Sequence, residues 1–220
     1  VYDPSAFAPG EVPRTRIALA ELLESEPERF RGRVATYDIA QSGVGYLLAA
    51  QDGTISSTNW RLAAAFGRTG IHLSGSSPQM LTMIEQGELA IGYNILGSYA
   101  FARQAAGADI GIVVPDDYVL VLTRTMLIPE DAANADLARA FVDFTLSPGG
   151  QAVLAGTSAL GSIVPGTSGP FSSERIAAFG LGAVQPVALG PSLLVSLDPL
   201  RRDRFLQTWT EIVAPGAARP

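Results

Sequence analysis

Across residues 13–115 short apolar runs alternate with amphipathic segments, and a helix-start or turn signal punctuates each alternation. Strands alternating with helices this way require a parallel or mixed sheet covered by helices, because such strands are joined by crossovers rather than hairpins. Thr15 is placed to cap a helix through Ile17, Leu22 and Leu23 that Pro27 stops. Arg31-Gly32 turns the chain into a β-like run at 33–37. Ser42-Gly43 opens a second helix, which the turn pair Asp52-Gly53 is expected to end. A third helix spans 60–66 with Gly67 at its end, and Ser77-Pro78 starts a fourth: a hydroxyl cap, then proline where its missing N–H costs nothing. That helix presents Met80, Leu81 and Ile84 on one face and stops at Gly87. Residues 89–93 read as a buried strand, 98–106 as a helix and 110–114 as a strand closed by Pro115.

Beyond Pro115 the pattern changes. Residues 118–127 (YVLVLTRTML) form one long β-rich run, and 134–146 an amphipathic helix whose Leu137, Ala138, Phe141, Val142 and Phe144 are expected to face inwards. Residues 147–170 are rich in Gly, Ser, Thr and Pro, with a short helix at 151–154. A last helix begins at Asp198-Pro199 and buries Phe205, Leu206, Trp209 and Val213. This half holds too few strands for an independent sheet, so the boundary falls near Pro115.

Composition narrows the function classes. Hydrophobic residues make up 47% and charged residues 16% of the 220, the balance of a globular chain. Apolar stretches fall far short of the ~20 residues that span a bilayer, so no membrane insertion is expected. The net charge is -6, all fifteen cations are arginines, and the densest group, Arg201, Arg202 and Arg204, is broken by Asp203 as on a solvated helix face. That arrangement argues against a nucleic-acid partner. With no cysteine and only His72 as histidine, thiolate sites, disulfides and His-x-x-x-His metal spacing are excluded, and no cofactor or metal is expected. No Gly-x-Ser-x-Gly elbow is present, so a hydrolase or transferase using His72 is the minor reading. The chain opens at Val1 rather than methionine, as after removal of a leader.

Five segments in order, VYDPSAFAPGEVPRTRIALAELL, RGRVATYDIAQSGVGYL, SSPQMLTMIEQGELAIGYNILGSYA, GIVVPDDYVLVLTRTMLIPEDAANADLARAFVDFTLSPGGQAVLA and LLVSLDPLRRDRFLQTW, resemble the type II periplasmic binding proteins of ABC transporters. The likeness is to the branch with iron-, phosphonate- and thiamine-binding members, and FVDFTLSPGGQAVLA is its most specific piece. The resemblance implies an α/β fold of two lobes. Residues 13–115 would be one complete α/β lobe. Residues 1–12, with Val1-Tyr2-Asp3 as the outbound crossing strand, and 116–220 would be the C-terminal part of the other, whose N-terminal part is not in this chain. It further implies an extracytoplasmic, periplasmic solute-binding component that captures a small anionic or chelated ligand between its lobes and delivers it to a permease. A sensing module of the same fold is the alternative. An incomplete lobe exposes apolar edges, so self-association is expected.

Candidate ligand contacts follow. The loop 38–45 (DIAQSGVG) feeds a helix N-terminus whose free N–H groups and dipole suit an anion, although from the residues alone a short glycine-rich turn reads more simply as an ordinary capped helix. The resemblance places ligand contacts here, at Ser42, Gly43 and Gly45. At Ser76-Ser77 one hydroxyl suffices for the cap, and the resemblance turns the other to the cleft. Tyr93, Asn94, Ser98 and Tyr99 follow a buried strand, at the carboxyl end where α/β crevices lie. Iron-binding members use adjacent tyrosines there; residues 94–99 read NILGSY, so direct ferric coordination is not implied. Asp116-Asp117 reads as a solvated turn, and Arg124, within the expected long strand, as one half of a structural salt bridge, with pairing to an anion as the lesser alternative.

Overall fold

The computed structural model describes residues 1–158, 160–170, 178 and 180–215; the rest of the 116–220 segment lies outside the described residues. Local signals place the early elements well. Helix α1 (Arg16–Ser25) is capped by Thr15, whose hydroxyl accepts from Ala18 N–H. Strand β1 (Val34–Tyr37) follows, and all four of its residues are buried. Burial on both faces requires cover on both faces. Val34 belongs to the core beneath α1 and helix α3 (Thr58–Thr69), with Leu23, Phe30, Leu62 and Phe66. Ala35 and Tyr37 point the other way, into a core with Leu48 of helix α2 (Gly43–Ile55) and Met80, Leu81 and Ile84 of helix α4 (Ser77–Glu85). The alternation is the two-residue period of a strand between two helical layers.

Strands β2 (His72–Ser74) and β3 (Ile91–Gly92) flank β1, both parallel, giving the order β2-β1-β3. The sheet continues through Tyr2, which bridges antiparallel to Ile91 and to Gly111. Residues 89–93 therefore contribute only two strand residues, although Leu89, Ala90 and Tyr93 are buried as expected. Residues 110–114 contribute one bridge rather than a strand. Helix α5 (Gly97–Ala105) begins one residue before the expected Ser98.

Two helix ends differ from the sequence expectation. Asp52-Gly53 does not terminate α2, because the Asp52 side chain is wholly buried and its carboxylate serves a tertiary contact. Helix α3 runs past Gly67 and ends at Gly70, whose φ of 61° supplies the left-handed cap. Gly67 has another reason to be glycine: a Cβ there would collide with the Ile212 carbonyl oxygen.

A second, parallel two-stranded sheet pairs β4 (Tyr118–Val121) with β5 (Ala183–Pro186). The expected strand 118–127 is thus cut to four residues. Its partner ends at Pro186, and the last link is Val187 N–H to the Val121 carbonyl at 2.9 Å. Helix α6 (Ala135–Leu146) packs on helix α7 (Pro148–Thr157), which is longer than the expected 151–154. The expectation that α6 turns its apolar face inwards is overturned. None of its residues is buried, and Leu137, Phe141 and Phe144 are 71%, 63% and 57% exposed, because no element of the described chain covers that face.

Helices α8 (Pro191–Ser196) and α9 (Pro199–Val213) follow, the latter capped by Asp198 as expected. Trp209 and Val213 of α9 are buried against Tyr46, Ala49 and Ala63, so α9 closes on α2 and α3 although it is distant in sequence.

Candidate ligand-binding cleft

A cleft of about 1610 Å³ opens at the carboxyl ends of the parallel strands. Its lining includes Gly43 from the start of α2, Asn94, Gly97 and Ser98 from the β3–α5 connection, Leu122 and Arg124 beyond β4, Phe144 of α6 and Leu154 of α7. The topology decides this location, since parallel strands deliver all their following loops to one end of the sheet.

The expected site residues divide into two groups. Gly43, Asn94 and Ser98 line the cleft together, as does the rim of the buried Tyr93. Ser42, Gly45, Ser76 and Ser77 hold the wall from behind. Ser42 caps α2, accepting from Gly45 N–H at 3.2 Å. Gly45 lies against Tyr37, where a Cβ would overlap the tyrosine Cβ, so its role in this structure is the close approach of α2 to β1. At the second serine pair Ser76 is the cap, accepting from Gln79 N–H at 3.4 Å. Ser77 is 2% exposed; its hydroxyl meets that of Tyr37 and accepts from Leu96 N–H at 3.1 Å. The free hydroxyl expected to face the cleft is instead the pin between α4 and the turn into α5. Burial pushes the Tyr37 phenol upward, so it stays protonated and able to donate. Tyr99 lies outside the main cleft lining and borders a smaller cavity of about 230 Å³ with Pro78 and Arg103.

A polar network that sequence reasoning missed runs from Arg16 and Tyr93 on the cleft lining to the buried Asp52 behind it. Arg16 Nε donates to Tyr93 Oη at 2.9 Å, its Nη1 donates to Asp117 Oδ1 at 2.9 Å and to the Tyr118 carbonyl at 2.7 Å, and its Nη2 lies 3.2 Å from Asp52 Oδ1. Tyr93 Oη donates in turn to Asp52 Oδ2 at 3.0 Å, and Tyr118 Oη donates to Oδ1 at 2.7 Å. The guanidinium carbon stands 3.6 Å from the Tyr118 ring centroid. Burial works against the charge on Arg16, but the Tyr93, Asp52, Tyr118 and Asp117 oxygens outweigh it and hold its pKa above the ordinary value. Burial first, and then the Asp52 carboxylate, push both tyrosines well upward. The only sequence signals were Arg16 at the start of α1 and Asp52, the one charged residue inside α2.

Beside Arg16 and Tyr93, this network meets the cleft at Asn94. Its Nδ2 donates to Asp52 Oδ2 at 2.9 Å, and its φ of 58° is the one positive value outside glycine among the described residues. Asparagine tolerates the left-handed region better than most residues. The turn from β3 into α5 is therefore set by Asp52.

Two expectations about charge are corrected. Asp116 and Asp117 are not a solvated turn: Asp116 accepts from Arg14 Nε at 2.8 Å, and Asp117 takes the Arg16 side chain and its backbone N–H. Arg124 forms no salt bridge among the described residues, because the strand ends before it; its guanidinium lies over Tyr99, 6.0 Å from the ring centroid.

Chemically the cleft lining is mostly apolar among the described residues, with hydrogen-bonding groups at a few points and no carboxylate side chain. His72, on β2, does not line it. Among the described residues no group of three or more His, Cys, Asp or Glu is placed to hold a metal, and no helix is long and apolar enough to cross a membrane.

Comparison with known proteins adds identity to this geometry. A family profile described as bacterial extracellular solute-binding protein matches residues 6–157. Among solved structures, the substrate binding protein of the ABC transporter from Agrobacterium tumefaciens is 33% identical with a TM-score of 0.85, over 96% of this chain and 63% of that one. A Bordetella parapertussis protein has 17% identity and a TM-score of 0.65, over 97% of this chain and 65% of that one. An ABC transporter structure from Clostridium perfringens ATCC 13124 has 16% identity and a TM-score of 0.53, over 96% and 65%. The last two are likenesses of fold, and the α/β arrangement is that of the periplasmic-binding-protein neighbours. The chain spans less than two thirds of the length of each. No curated protein matches it.

Proposed function

We propose that this chain, which belongs to the family of bacterial extracellular solute-binding proteins, captures a small organic ligand outside the cytoplasm for an ABC transporter. The observation that carries this reading is the cleft at the carboxyl end of the β2-β1-β3 sheet, where Gly43 at the start of α2 meets Asn94 and Ser98 of the β3–α5 connection. Its walls are mostly apolar with a few placed polar groups, the usual character of a small-molecule site. The Agrobacterium relative, a substrate binding protein of an ABC transporter, points the same way.

In this reading residues 13–115 act as one lobe, while 1–12 and 116–220 belong to the other. Ligand binds between them and favours the closed arrangement by contacting both walls. Gly43, Asn94 and Ser98 contact it; Ser42, Ser76, Ser77, Tyr93 and Gly45 hold those contacts in place, and Tyr99 flanks the mouth. The N-termini of α2 and α5, both at the cleft, favour an anion. The loaded protein then delivers its ligand to the permease from the periplasm.

Native mass spectrometry of gently purified chain tests the reading directly, with a retained small molecule as the expected result. Thermal shift against a panel of organic acids, phosphonates and metal chelates is the companion measurement. No retained mass, together with a melting temperature unmoved across the panel at millimolar concentration, removes the proposal.

A further inference from the structure

The described cleft walls carry three arginines, Arg14, Arg16 and Arg124, and no aspartate or glutamate. This is the reverse of the whole chain, whose net charge is -6. Two of the three are already neutralised: Arg14 by Asp116 at 2.8 Å, and Arg16 by Asp52 at 3.2 Å and Asp117 at 2.9 Å. Arg124 is not. It makes no ion pair among the described residues, its side chain is exposed, and Tyr99 lies under its guanidinium. Leu122 and Met126, on its own segment, line the same wall.

We infer that Arg124 is the anion anchor of the cleft and that the ligand is an organic anion with an apolar body. The inference rests on the capture reading above and adds to it a ligand class and a residue. Its charge argument proceeds by elimination. A neutral apolar ligand would cover the guanidinium without pairing it, which is unfavourable. A cation would meet like charge with no carboxylate on the lining to offset it. An inorganic anion would pair with Arg124 but leave the apolar walls wet. A carboxylate, phosphonate or sulfonate head on an apolar body satisfies both. The head takes the planar fork of the guanidinium beside Tyr99, the pairing for which arginine is suited, and the low-dielectric walls strengthen it.

The test uses three probes with one apolar body and different heads: octanoate, octanol and octylammonium, titrated calorimetrically into the full chain. Octanoate is expected to bind about tenfold more tightly than octanol or better, and octylammonium more weakly than both. Arg124→Gln is expected to bring octanoate down to the level of octanol, and Arg124→Lys to restore part of the difference, because it keeps the charge without the fork. Arg124 is exposed and makes no ion pair among the described residues, so the melting temperature of each variant reports that it is folded. Arg139→Gln, an exposed arginine outside the cleft lining, is the control and leaves octanoate binding unchanged. Octanoate binding unaltered by Arg124→Gln overturns the inference. Octanol binding as tightly as octanoate also overturns it while leaving ligand capture standing. Inorganic phosphate binding as tightly as octanoate overturns the apolar-body half. If none of these probes binds and the native protein carries no retained ligand, both readings fall together.

Discussion

The carboxylate of Asp52, inside α2, and the guanidinium of Arg16, at the first turn of α1, face each other at 3.2 Å with 0% and 4% of their side chains exposed. Two helices separated by a strand are thereby joined by a desolvated ion pair whose oxygens also accept from Tyr93, Asn94 and Tyr118. A buried pair of this kind adds modest stability by itself, but removing one partner leaves an uncompensated charge. Asp52→Asn is therefore expected to destabilise the fold by about 3 kcal/mol, lowering the melting temperature by roughly 6–12 °C. Because Asn94 loses its charged acceptor in the same variant, ligand affinity falls as well. Urea denaturation with an unchanged midpoint would show that the network is decorative.

Gly67 and Gly53 make a matched pair for testing helix packing. Both lie inside helices, where alanine normally stabilises by about 0.5–1 kcal/mol. At Gly53 a Cβ meets Asn59 Nδ2 and Phe205 Cε2 at 3.5 Å, ordinary contact, so Gly53→Ala is expected to hold or raise the melting temperature. At Gly67 the same atom collides with the Ile212 backbone and prises α9 from α3, at a cost of about 1–3 kcal/mol. Equal melting temperatures for the two variants would contradict the α3–α9 contact.

The acid limb of stability has an identifiable contributor. Hydrogen bonds from Arg29 and from Ala8 N–H bring the Glu11 carboxyl down to about 2 from its ordinary 4.5. A depressed folded pKa means that the contribution is fully present above pH 4.5 and is lost as pH falls towards 2. Wild type and Glu11→Gln are expected to differ in denaturation midpoint above that window and to converge near its lower end. Parallel pH profiles would assign the acid limb elsewhere.

The uncovered face of α6 leads to an assembly prediction. Leu137 and Phe141 are 71% and 63% exposed, and Leu127 nearby in sequence is 85% exposed. Apolar groups concentrated in this way seek a partner surface. The chain is expected to self-associate at micromolar concentration in sedimentation velocity. Leu137→Gln with Phe141→Gln shifts it towards monomer without lowering the melting temperature. A monomer in the wild type rejects this.

Legibility in the sequence followed locality. Thr15 and Asp198 declare their helices because a cap bonds within three residues, whereas at the serine pair the expected cap was Ser77 and the actual one is Ser76, one residue earlier. The apolar alternation at 34–37 declares a strand covered on both sides, because its period is a property of one strand. The loop 38–45 and the β3–α5 turn were recognisable as sheet-end segments for the same reason. Whether Gly45 faced a ligand or Tyr37 was not legible, since the sequence does not carry the distance between α2 and β1.

What the sequence alone determined, then, is the alternating α/β class, the positions of most helix starts, and a resemblance strong enough to name a family. Tertiary structure decided the rest. It took Asp52 out of a supposed turn and put it under Asn94, cut the strand after Tyr118 to the four residues that find a partner, and left the apolar face of α6 open. It also left Arg124 at the cleft with no ion pair among the described residues. Each of these depends on what another, distant segment supplies: a counter-charge, a ladder partner or a covering surface. Such complementarity exists only between segments brought together in space, and no local pattern encodes it.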